Sequence, residues 1–91
     1  MTILRIMRRG MDRDLYYTMR AMLDIDRNHP LGLIMHGASE VDGRMQVAQV
    51  WDSEEYAQSF DREILAPIVE ALDAPRDVEV TIFELEDLVT P

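Results

Sequence analysis

Only two side chains in this chain, His29 and His36, titrate near neutral pH without help from their surroundings. His36 follows an apolar stretch, Gly32-Leu33-Ile34-Met35, where burial would disfavour the charged ring and keep it neutral. A neutral imidazole can take the proton of an enol or a phenol, and such general-base help is typically worth about 10²–10⁴ in rate. Gln49 can orient that ring or a substrate, Trp51 can give a flat apolar wall, and Tyr16 or Tyr17 can add a phenol. A structural histidine held by Gln49 inside a packed core fits the same residues. His29 stands beside Pro30 and reads as an exposed loop residue. With no third ligand evident near the two histidines, no metal site is expected.

Other chemistries are excluded by composition. The absence of cysteine removes thiol catalysis, iron–sulfur clusters and cysteine-based zinc sites. All nine basic residues are arginine, so lysine Schiff-base chemistry is out. The three serines, Ser39, Ser53 and Ser59, form no nucleophile elbow. A formal charge of −9 would repel nucleic acid, whose binding depends on neutralising phosphates. No apolar run approaches the roughly 20 residues of a membrane-spanning helix. Met1 to Arg5 shows neither the apolar core nor the cleavage site of a signal peptide, so a cytoplasmic location is expected. Arg5 is expected to pair with one of the many acids or with a substrate anion. The seven methionines suit adaptable core packing or a malleable pocket.

The elements that must position these residues follow from pattern. Thr2 to Arg9 is short and apolar and reads as a strand that Gly10 breaks. Asp12 and Asp14 suit a helix start, and Leu15, Met19, Met22 and Leu23 continue at helical spacing. Asn28-His29-Pro30 ends that element. Leu31 to Val41 and Arg44 to Trp51 read as a hairpin closed by Asp42-Gly43, a strong signal for a type I′ turn. Asp52 and Glu55 resemble a capping box, and Tyr56, Phe60 and Ile64 give the next helix an apolar face. Pro67 predicts a kink or a second short helix carrying Ile68, Val69 and Leu72, and Ala74-Pro75 predicts a loop. Val78, Val80 and Ile82 alternate with Glu79 and Thr81 in a last strand. The order β-α-β-β-α-β over residues 1–91 predicts one α+β, ferredoxin-like domain with a four-stranded antiparallel sheet.

The turn sets a register. Val41 lies opposite Arg44, Glu40 opposite Met45, Ala38 opposite Val47, His36 opposite Gln49 and Ile34 opposite Trp51. Opposed residues share a face, so Ile34, His36, Ala38, Met45, Val47, Gln49 and Trp51 are expected together. Leu33, Met35, Gly37, Ser39, Gln46, Ala48 and Val50 take the other side. Both faces carry apolar residues, yet two helices cover only one. A second copy of the same sheet is the economical cover, which predicts a homodimer.

The stretches Gly32-Leu33-Ile34-Met35-His36 and Val50-Trp51-Asp52-Ser53-Glu54-Glu55-Tyr56, with Gly43, Phe60 and Pro67, resemble the dimeric α/β-barrel superfamily. Within it the chain resembles the antibiotic biosynthesis monooxygenase-like proteins. The resemblance implies two ferredoxin-like subunits joined through their sheets, each with a pocket between sheet and helices. It implies a cofactor-independent monooxygenase acting on a small aromatic or polyketide-like molecule, with His36 as base and Ile34, Met45, Gln49, Trp51 and Tyr16 lining the site. The haem-degrading members carry an Asn, Trp and His pattern. Here Trp51 matches, the first strand has no Asn, and the helix after Trp51 has no His, so haem is not expected, nor any other cofactor. A non-catalytic homodimeric module for a small apolar ligand or a partner, and an isomerase or cyclase using His36 as acid/base, remain as alternatives.

Overall fold

The computed structural model describes residues 1–90. Strand β1 (Ile3–Arg9) leads to helix α1 (Arg13–Leu23), then β2 (Leu33–Val41) and β3 (Arg44–Trp51). Helix α2 (Glu54–Phe60) runs through a π-helical turn (Asp61–Leu65) into α3 (Ala66–Ala71), and β4 (Val78–Glu84) closes the chain. The sheet order is β2-β3-β1-β4, with every neighbouring pair antiparallel. This is the ferredoxin-like α+β arrangement expected from the element order.

Local chemistry sets the boundaries. The side chain of Asp12 accepts the Leu15 N–H at 2.9 Å and caps α1. Asp42 and Gly43 both have positive φ, 52° and 76°, as a type I′ turn demands. Ser53, not Asp52, caps α2 by accepting from the Tyr56 N–H. Asp52 is still tied to the sheet side, its N–H donating to the Gly32 carbonyl at 2.8 Å.

The hairpin register holds from Val41 back to Met35, including His36 opposite Gln49. It fails at Ile34. A β-bulge between Leu33 and Met35 sets Leu33, not Ile34, opposite Trp51. The extra residue turns Leu33 inward, where it joins Ile3, Ile25, Trp51, Ala57 and Phe60 in a core cluster. Leu31 and Gly32 form a turn ahead of β2 and are not part of the strand. Gly32 has φ 87°, and a Cβ there would run into the Tyr56 ring.

Pro67 interrupts the second helical stretch in a specific way. It has no N–H, and its ring would meet the Glu63 carbonyl in a regular α-helix. The chain instead widens to a π turn, with the Ala66 N–H reaching the Asp61 carbonyl. The wider turn shifts the apolar stripe by one residue. Ala57, Phe60, Leu65 and Val69 face the core, while Tyr56 and Ile64 are 39% and 44% exposed. The expected Tyr56–Phe60–Ile64 face is therefore correct only at Phe60.

The helices cover the sheet face that carries Met45, Val47, Gln49 and Trp51. Cross-strand neighbours form rows on that face, and one row is polar: His36, Gln49 and Arg5 stand side by side on β2, β3 and β1. Among the described residues no helix covers the opposite face, with Leu4, Ile6, Met35, Ala48, Val50 and Phe83. Among the described residues no helix is long and apolar enough to cross a membrane.

Candidate functional site

A partly open cavity with about 40 Å³ of room lies between α1, the second helical stretch and the sheet. Its apolar wall includes Met7, Met11, Met19, Leu23, Ile25 and Phe60. Three of the seven methionines thus line it, and their flexible thioethers can adapt to a guest. The polar groups at its surface are Tyr16, His36 and Gln49, with Arg5, Arg9 and Arg20.

Arg5 anchors the polar row. It is only 4% exposed, and its guanidinium is held by Asp61 on the π turn at 2.5 and 3.1 Å. It also donates to Gln49 Oε1 at 2.7 and 3.3 Å and lies 5.7 Å from the centre of the Trp51 ring. Trp51 Nε1 donates to the same oxygen at 2.9 Å. Donors converging on Oε1 fix which way the amide points, because a flipped amide would set its NH2 against them.

The amide orientation then decides the state of His36. Gln49 Nε2 faces His36 Nδ1 at 3.2 Å, so Nδ1 accepts. The neutral ring therefore carries its proton on Nε2, which donates to the Tyr16 hydroxyl oxygen at 2.7 Å. This tautomer is assigned from the hydrogen-bond network. Burial pushes the His36 pKa below its ordinary value, and the nearby Arg20 charge adds to the effect. Burial likewise raises the Tyr16 pKa, against the opposing pull of Arg20. Both groups are neutral at pH 7, and the Tyr16 hydrogen is free to point elsewhere.

Of the expected site residues, the cavity brings together His36, Gln49 and Tyr16. Trp51 is fully buried behind Gln49 and packs on Phe60 with ring centres 5.4 Å apart. Met45 belongs to the core around Met11, Met19, Val69 and Ala74 and does not line the cavity. Ile34 occupies the bulge and is also absent from the lining. Tyr17 points away, 61% exposed. His29 is exposed, with Nε2 2.6 Å from the Leu33 carbonyl. Among the described residues no three His, Asp or Glu side chains converge on a metal position. Arg9 and Arg20 were not singled out by sequence. Alternation along β1 from the buried Ile3 was the signal that could have placed Arg9 beside Arg5 on the inward face.

Comparison with known proteins supports the fold. A protein of unknown function from Nitrosomonas europaea superposes with a TM-score of 0.73 at 15% identity, covering 99% of this chain and 94% of the other. SnoaB, a cofactor-independent oxygenase from Streptomyces nogalater, superposes at 0.69 with 14% identity, covering 99% and 98%. An antibiotic biosynthesis monooxygenase superposes at 0.71 with 11% identity, covering 93% and 99%. No family model and no curated protein sequence matches this chain. The fold is that of the antibiotic biosynthesis monooxygenase-like proteins, as the sequence resemblance implied.

Proposed function

We propose that this protein is a cofactor-independent monooxygenase acting on a small aromatic or polyketide-like molecule, working as a homodimer, with His36 as the proton acceptor. The observation that carries this reading is the Tyr16–His36–Gln49 chain at the wall of a methionine-lined cavity. The likeness in fold to SnoaB supports it. Tyr16 holds the oxygen of an enol or phenol, and the site draws off its proton. The resulting carbanion gives electrons to O2 and forms a carbon–oxygen bond. The peroxide anion takes back the proton, and the resulting hydroperoxide loses water, so that a CH2 group becomes a carbonyl, one oxygen atom remaining in the product and the other leaving as water.

The tautomer places a condition on the base. The free lone pair of the His36 ring is on Nδ1, which faces the anchored Gln49 amide, so uptake of a substrate proton requires the ring to turn away from Gln49 and present Nδ1 to the cavity. Such uptake is favourable only while the ring is neutral, which its depressed pKa secures at pH 7.

The test is oxygen uptake with phenolic ketones that carry an acidic methylene, without added flavin or metal. One O2 is expected per carbonyl formed, with label from ¹⁸O2 in the product. His36→Gln should retain the fold and lower turnover by about 10² or more. If such compounds bind in the cavity yet consume no oxygen above background, the enzyme reading fails and a ligand-binding module remains.

A further inference from the structure

Eighteen acidic residues give the chain its charge of −9, yet none lines the cavity, whereas three of the nine arginines do. Two of those three are already neutralised. Arg5 is paired with Asp61, and Arg20 with Asp26 at 3.2 Å. Arg9 is not. Among the described residues it has no carboxylate within ion-pair distance, and its side-chain contact is the Met7 sulfur at 3.8 Å. The carboxylate whose charge acts on it, Asp61, is committed to Arg5. Burial pulls the Arg9 pKa down, as expected of a guanidinium taken from water without a partner.

The hydrogen-bond chain points the same way. Arg5 and Trp51 donate to Gln49, Gln49 donates to His36, and His36 donates to Tyr16. Each bond hands on to the next in the direction of Tyr16, so the chain is polarised from the Arg5 cation to the Tyr16 O–H. Aligned donors strengthen one another in a low-dielectric setting. A chain of this direction matches an acceptor oxygen and offers nothing to a cation.

We infer that the ligand of this cavity is an organic anion, an apolar ring body bearing a carboxylate or another acidic oxygen, with the negative group held between the Arg9 guanidinium and the Tyr16 hydroxyl. This deepens the proposed function and rests on its reading of the cavity as the ligand site. The methionine-lined wall takes the ring, and the unpaired arginine of the lining takes the anion. A phenol or enol that enters neutral is drawn to ionise by the same groups.

The test uses 2-naphthoate and its neutral isostere 2-naphthamide as probes. Affinities come from calorimetry, and binding is located by the methyl signals of ¹³C-labelled Met7, Met11 and Met19. Naphthoate should bind the wild-type protein about tenfold or more tightly than naphthamide, the scale of a hydrogen bond to a charged group. Arg9→Met should bring naphthoate down toward the amide and leave the amide unchanged. Arg9→Lys should retain part of the preference, and Arg9→Gln replaces Arg9→Met if the latter does not fold. Equal affinities in the wild type, or a preference that survives loss of Arg9 with the fold intact, would overturn the inference while leaving the cavity as a ligand site. If neither probe moves the methionine methyls, the ligand-site reading falls and the inference with it.

Discussion

At the scale of single residues the chemistry turns on which nitrogen of His36 holds the proton. Gln49 decides this because its oxygen is already occupied by Arg5 and Trp51. Gln49→Glu should reverse it. A carboxylate could still accept from Arg5 and Trp51, but its second oxygen would accept from Nδ1–H, leaving Nε2 to accept from Tyr16. The added charge should also raise the His36 pKa from its depressed position. Imidazole ¹⁵N spectra should show the Nε2–H tautomer in the wild type and the Nδ1–H or doubly protonated ring in the variant. A wild-type Nδ1–H ring would refute the network as drawn. The same shift has a consequence for stability. In the wild type the unfolded chain binds a proton at about pH 6.5 while the folded ring stays neutral. The His36 contribution is therefore full above that pH and is lost as pH falls through the folded value; in Gln49→Glu this acid loss should shrink or reverse. The pairing of His36 with Gln49 was legible in sequence because the Asp42-Gly43 turn fixes the β2–β3 register, whereas Tyr16, on α1, could be offered only alongside Tyr17. Arg5 as the anchor of the row was not, because β1 meets β3 through no local turn that would set their alignment.

At the scale of elements, two irregularities shape the site, and neither showed in the pattern. The bulge at Ile34 was hidden because Leu33 and Ile34 are both apolar, so either could face inward without breaking the periodicity. The π turn was hidden because Pro67 announces a disturbance without stating its form. Its effect is to carry the core stripe from Phe60 to Leu65 and to set Asp61 over Arg5. Without that carboxylate the buried Arg5 would keep only Gln49. Asp61→Asn should therefore destabilise the fold by roughly 1–3 kcal/mol, toward the lower end because Asp61 is itself 38% exposed. Urea unfolding checks this. An unchanged midpoint would mean that water serves Arg5 as well as Asp61 does.

At the scale of the whole molecule, the sheet face away from the helices is the unfinished part of the fold. Leu4, Ile6, Met35, Ala48, Val50 and Phe83 stand there, with Met35 51% exposed and Phe83 49% exposed. Of the chain's eighteen acids, only Glu79 occupies an outward strand position on this face. A chain with charge −9 repels its own copies almost everywhere else, so this face is where two copies can approach at least electrostatic cost. The proposed homodimer should accordingly tighten with added salt, since screening weakens the repulsion between subunits while the apolar contact remains. Met35→Asp sets a charge in the contact without touching the core of either subunit. It should raise the dimer dissociation constant by about tenfold or more, because a carboxylate would have to be desolvated without a partner. Sedimentation of both proteins at matched salt measures the change, and circular dichroism checks that each subunit still folds. A stable wild-type monomer at micromolar concentration would remove the dimer from the proposal. A dimer that persists unchanged in Met35→Asp would place the interface elsewhere on the molecule.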